Sequence, residues 1–176
     1  IYAVDASEHG MGATIASCPL SMVQQLGRVN ERWRFKGGHG GNHREQVLNE
    51  QFNEVGWSQH NFESDMKPDE TFVEHDRKFH NVPFGAVDRD WKTVGMKFWK
   101  KRETLPVYEA RSSLYAVKHI LRKRDNFGKR HLILSDGLTA TCAISRGRAQ
   151  GFTLRRVCSQ IGALVLSSGI SICIRW

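Results

Sequence analysis

Between Trp91 and Trp176 the apolar residues keep changing period, and this alternation limits the folds open to the chain more than any other feature. In "WKTVGMKFWKKR" Met96 and Phe98 alternate with Lys97 and Trp99, the period of a strand. In "EARSSLYAVKHILRKR" Ala110, Leu114, Val117 and Leu121 recur at helical spacing, and Pro106 suits the first turn of that helix. "KRHLILSD" is short and apolar on both faces, as a central strand is. A short helix is predicted over 138–145. Leu154, Val157, Ile161, Leu164 and Val165 then share one side of another helix, which Gly169 ends. "ISICIRW" closes the series as a strand. At the other end, "IYAVD" and the segment around Ala13–Ser17 read as two strands joined by a Gly-bearing turn. The order β-β-(insertion)-β-α-β-α-α-β predicts one α/β domain, a five-stranded mixed sheet flanked by helices.

From Pro19 to Asp90 the character changes. Apolar residues thin out, and Gly37, Gly38, Gly40 and Gly41 break any regular element. One piece reads as a helix: "REQVLNEQFNEV" places Leu48, Phe52 and Val55 on one side. The rest, "SDMKPDETFVEHD" included, reads as exposed loop. The expected organisation is a single domain over 1–176 with its core in 1–18 and 91–176 and a long insertion at 19–90.

A net charge of +8 on 176 residues favours a polyanionic partner, nucleic acid or an anionic surface, over the alternative of charge kept for solubility. Cys18, Cys142, Cys158 and Cys173 form no CxxC pair. They read as free thiols of an intracellular protein, nuclear or cytoplasmic. The most apolar region, 161–174, is too short to span a bilayer, so no membrane partner is expected. The chain starts at Ile1 and stops within an apolar pattern at Trp176, which reads as a piece of a longer protein.

Three acids stand at chemically expensive places. Asp5 ends the first strand in "YAVDAS", Asp136 follows the apolar strand in "ILSDG", and Glu109 falls in the expected first turn of the long helix. Sites in open α/β sheets lie at the carboxyl ends of strands. If the first and fourth strands are parallel neighbours, Asp5 and Asp136 emerge together and Glu109 leans over them. Carboxylates so placed repel one another unless a hard divalent cation joins them. Two such ions can activate a water and stabilise a departing oxygen in phosphodiester cleavage. Singly, each acid also has a plain structural explanation: Glu109 as a favourable charge near a helix start, Asp5 and Asp136 as turn formers.

"YAVDASEHGMGATIAS", "YEARSSLYAVKHIL" and "LILSDGLTAT" resemble the first three active-site blocks of the ribonuclease H domain of retroelement reverse transcriptases. The resemblance covers 1–18 and roughly 91–176. "ERWRFK" at 31–36, with the long insertion, further resembles retrotransposon-derived reading frames of some protists. The resemblance implies a ribonuclease H-like five-stranded sheet whose first three strands are antiparallel. It also implies hydrolysis of the RNA strand of RNA–DNA hybrids with Mg²⁺, or Mn²⁺, and a reverse transcriptase domain in the same polyprotein. Carried over by position, Asp5, Glu109 and Asp136 are the catalytic metal ligands. The family's fourth carboxylate, an Asp after the fifth strand, would lie beyond Trp176. Residues 1–176 alone are therefore expected to hold metal weakly and cleave poorly or not at all, with hydrolysis belonging to a parent chain that supplies the last Asp.

Three basic stretches could follow a hybrid's phosphates: "KFWKKR" with Lys97, Trp99, Lys100 and Lys101, "RKRDNFGKR" with Arg122, Lys123 and Arg124, and "RGRAQGFTLRR". Each also reads as a solvated face. His39 with His43 and His75 with His80 lack the cysteines of a zinc site. Gly10 and Gly12 lack the Lys-Ser/Thr of a phosphate loop, and neither Ser7 nor Ser135 sits in a nucleophile elbow. Two other functions on this fold stay open: a transposase or integrase, whose usual acid order is Asp, Asp, Glu, and a catalytically degenerate module that only binds nucleic acid.

Overall fold

The computed structural model describes residues 1–37, 73–75 and 79–176. Two compact units are present: residues 1–33 with 80–176, and residues 34–79. The first holds a five-stranded sheet in the order β5-β2-β1-β6-β7. Its strands are β1 (Tyr2–Ala6), β2 (Gly10–Ile15), β5 (Lys92–Phe98), β6 (Arg130–Ser135) and β7 (Ser171–Arg175). β1 pairs antiparallel with β2, and β2 antiparallel with β5. β1, β6 and β7 run parallel to one another. The expected α/β class, the mixed five-stranded sheet and the antiparallel first three strands are all present.

In the second unit β3 (Phe35–Gly37) pairs antiparallel with β4 (Val73–His75). The Arg34 guanidinium lies over the Phe79 ring, 4.4 Å from its centroid. The strand at Val73–His75 corrects the reading of that segment as loop and places His75 in β4. The helix expected over 44–55, and His39 and His43, lie outside the described residues.

The helices of the first unit follow the apolar spacing closely. The long helix α3 (Leu105–Ile120) buries Val107, Ala110, Leu114, Val117 and Ile120, with Pro106 in its first turn. α5 (Phe152–Ser168) buries Val157 and Ile161 and stops at Gly169, whose φ of 66° is a left-handed conformation open to glycine at little cost. These two helices pack on the sheet face that presents Tyr2, Val4, Ala13, Ile133 and Ile174. α4 (Leu138–Arg146) runs directly on from β6.

The opposite face has cover that composition concealed. α1 (Leu20–Gly27) and the one-turn α2 (Phe84–Val87) bring Leu26 and Ala86 onto Leu132 and Leu134. Residues 19–33 and 80–90, assigned by composition to an insertion, thus fold within the sheet unit. Met22, Val23 and Leu26 recur at helical spacing in α1, but over only eight residues and beside a long polar stretch. Each buried leucine there stabilises by about 1.5–3 kcal/mol relative to exposure.

A fully buried ion pair joins this layer to β7. Arg175 donates from Nε to Glu31 Oε1 at 2.7 Å and from Nη1 to the Leu26 carbonyl at 2.9 Å, and it also reaches the His80 carbonyl. The Trp176 N–H donates to the same Glu31 oxygen at 3.0 Å.

Candidate functional site

Parallel pairing of β1 with β6 matches Val4 to Ser135, so Asp5 and Asp136 are the next residues at the same end of adjacent strands. Both side chains are exposed there. α3 begins at that end of the sheet. Glu109 is its fifth residue and stands one turn in, not in the first turn as expected. Its placement therefore owes little to the helix dipole, which fades within the first turn.

Glu109 is 9% exposed, and its carboxylate lies directly over the Cα of Gly137. A Cβ at position 137 would overlap it. Gly137 N–H donates to Ser135 Oγ at 3.3 Å, which turns the chain sharply between β6 and α4 and brings Asp136 to the rim. Burial first, then the charges of Asp136 and Asp5, hold the Glu109 carboxyl above the ordinary carboxylate range. Among the described residues no hydrogen bond or ion pair reaches that carboxylate. All three acids share one electrostatic site, and among the described residues no cation pairs with its most buried member.

The donors are carboxylate oxygens, the chemistry that Mg²⁺ and Mn²⁺ prefer. Their ligating atoms are not drawn into a single sphere: among the described residues no three His, Cys, Asp or Glu side chains form a metal-holding group as they stand.

Neighbouring residues brace the site, and the sequence did not single them out. Tyr108 donates from its hydroxyl to the Lys101 carbonyl at 3.0 Å and accepts from the Glu103 N–H at 2.7 Å. Glu103 takes a two-pronged bond from Arg111, at 2.5 and 2.7 Å, and this bond holds its carboxyl below the usual range. Together they fix the approach to α3, one residue before Glu109. The Trp176 indole N–H donates to the Asp136 carbonyl at 2.8 Å. No spacing rule would have paired residues so far apart in the chain.

Of the expected nucleic-acid contacts, Lys97, Lys100 and Lys101 are exposed at the rim that carries the acids, because β5 ends there beside Gly10. Trp99 has a bracing role in addition. Its ring stacks on Tyr108 with centroids 4.7 Å apart, and its indole N–H donates to the Ser7 carbonyl at 2.8 Å. Arg122, Lys123 and Arg124 follow the far end of α3, about 20 Å from Glu109 at 1.5 Å per helical residue. They do not join the site.

No protein-family model matches the chain, and neither a curated protein nor a solved structure does. Three acids stand at one sheet edge, one of them buried on the α3 side, and their oxygens are of the donor type that hard divalent cations take. No described helix is long and apolar enough to cross a membrane.

Proposed function

We propose that this chain is a ribonuclease H-like domain of a retrotransposon polyprotein, which hydrolyses the RNA strand of RNA–DNA hybrids with Mg²⁺ or Mn²⁺ as cofactor. The observation that carries the reading is the buried, uncompensated carboxylate of Glu109 facing Asp136 and Asp5. A protein gains nothing in stability from such a cluster, and a divalent cation removes its cost. The strand order β5-β2-β1-β6-β7, with Asp, Glu, Asp on strand, helix and strand end, supports the family resemblance.

Asp5 and Asp136 would hold the cation from the sheet and Glu109 from the helix. When bound, the cation would supply Lewis-acid stabilisation of charge on the phosphate and its departing oxygen. Glu109, set back against Gly137, orients the ligand set and shields it from solvent. Lys97, Lys100 and Lys101 attract the hybrid's backbone along the same rim. A reverse transcriptase domain of the same polyprotein would present the hybrid.

Replacing Asp136 by Asn or Glu109 by Gln tests this reading. Each should abolish Mg²⁺-dependent hybrid cleavage in a chain that continues past Trp176, and should lower Mg²⁺ affinity in residues 1–176, with folding retained. Cleavage at the parent rate by either variant would remove the site assignment. The spread of the three acids favours one second reading, a module of the same fold that binds nucleic acid without cutting it. Hybrid binding with no cleavage by the extended chain at any Mg²⁺ or Mn²⁺ concentration would select it. The Asp, Glu, Asp order weighs against the transposase or integrase alternative.

A further inference from the structure

Met96 and Phe98 are apolar, yet they are 81% and 82% exposed on an edge strand. Register explains their position. Asp5 pairs with Gly12 and Gly12 with Met96, so these three residues form one row across β1, β2 and β5. Phe98 pairs with Gly10, two residues along the same face. Cross-strand partners share a face, and strands lie about 4.8 Å apart, so Met96 stands roughly 10 Å from Asp5. Between them Gly12 offers no side chain, and a Cβ there would meet nothing within 4 Å. The helices on this face cover Ala3, Leu132 and Leu134 and leave the row open.

We propose that this open face of β2 and β5 is a platform for single-stranded nucleic acid, on which Phe98 and Met96 stack unpaired bases. Charge selects the occupant. The segment from Lys92 to Arg102 carries Lys92, Lys97, Lys100, Lys101 and Arg102 and no acid. A second copy of this chain, equally basic there, would be repelled, whereas a phosphate backbone is attracted. A sheet face with glycines at 10 and 12 and the exposed Phe98 ring suits splayed bases, because every base has a π-face to stack. A duplex, whose bases are already stacked, has no use for such rings. The platform would hold an unpaired strand that runs on from the acids, and in that respect the inference rests on the nuclease reading.

The test measures binding of a fluorescein-labelled oligothymidylate of about 15 nucleotides by anisotropy, in EDTA, so that neither metal nor cleavage enters. Phe98→Ala should weaken binding about fivefold or more, Met96→Ala/Phe98→Ala further, and Gly12→Leu should weaken it by filling the path. An abasic phosphodiester chain of equal length should bind more weakly and ignore Phe98→Ala. The side chains removed are exposed and a Cβ at Gly12 meets nothing, so a circular-dichroism melt of each variant should match the parent. Unchanged oligothymidylate binding in all three variants, or equal affinity for the abasic chain, would overturn the platform. So would sedimentation showing a dimer that Phe98→Ala dissociates while oligonucleotide binding is untouched. Inactive Asp136→Asn with intact platform binding would support the inference whatever became of the cleavage assignment, while cleavage without it would sink the platform alone.

Discussion

The carboxylate of Glu109 occupies the space that a side chain on Gly137 would need. Gly137 has φ −84° and ψ 89°, so its backbone does not demand glycine, and the helix residue beside it does. Gly137→Ala should therefore act through Glu109. Overpacking of this kind costs about 1–3 kcal/mol. We expect a destabilisation of that order by urea denaturation and at least a tenfold loss of Mg²⁺ affinity. Adding Glu109→Asp, one methylene shorter, should restore stability without restoring metal binding.

Burial and two acidic neighbours raise the Glu109 carboxyl, so the folded chain holds its proton at a pH where the unfolded chain has lost it. The contribution of Glu109 to stability is therefore full below the unfolded value of 4.5 and is lost as pH rises through the folded value. Glu109→Gln should then melt higher than the parent at pH 7 in EDTA, by about 2–4 °C for each kcal/mol relieved. Excess Mg²⁺ should raise the parent's Tm and close the gap. A parent that melts higher than Glu109→Gln in EDTA would contradict this.

Glu103 shifts the other way, because Arg111 stabilises its charged form. Its contribution is present above pH 4.5 and is lost as pH falls through the lower folded value. The pair is partly exposed, at 35% and 21%, so Arg111→Ala should cost no more than about 1 kcal/mol. The larger effect should fall on cleavage, since Tyr108 and the start of α3 lose their anchor.

Arg175 and Glu31 are fully buried against each other. Arg175→Met leaves the buried Glu31 carboxylate without its charge partner, though still accepting from the Trp176 N–H, and should cost about 3–5 kcal/mol in urea unfolding. Glu31→Gln in the same chain should recover part of that loss. Equal destabilisation in the single and double variants would mean that the charge pairing is not what matters.

Lys97, Lys100 and Lys101 share the acids' rim, and Arg122, Lys123 and Arg124 do not. Hybrid affinity should fall steeply from about 50 to 300 mM salt, and each rim lysine changed to Ala should flatten the slope of log K against log salt by about 0.9. The same changes at 122–124 should leave the slope nearly intact.

Periodicity in the chain determined most of the elements on its own. The apolar, β-prone run of β1, the apolar run of β6 and the helical spacing of α3 and α5 are local patterns that burial imposes, and they survive in the fold; the alternation of β5 also marks a strand, though its apolar face is not buried. The acids at Asp5 and Asp136 were legible for the same reason: each directly follows an apolar run. What the linear order could not contain was anything that depends on approach between remote residues. The seating of Glu109 on Gly137, the Trp176 bond to the Asp136 carbonyl and the Glu31–Arg175 pair arise only when β6, β7, α3 and the turn at Glu31–Trp33 come together. The same holds for Met96 and Phe98, which alternate as a buried strand face would. β5 lies at the sheet edge, and among the described residues no helix covers that side, so the face that hydrophobicity would place inside is the one left in water.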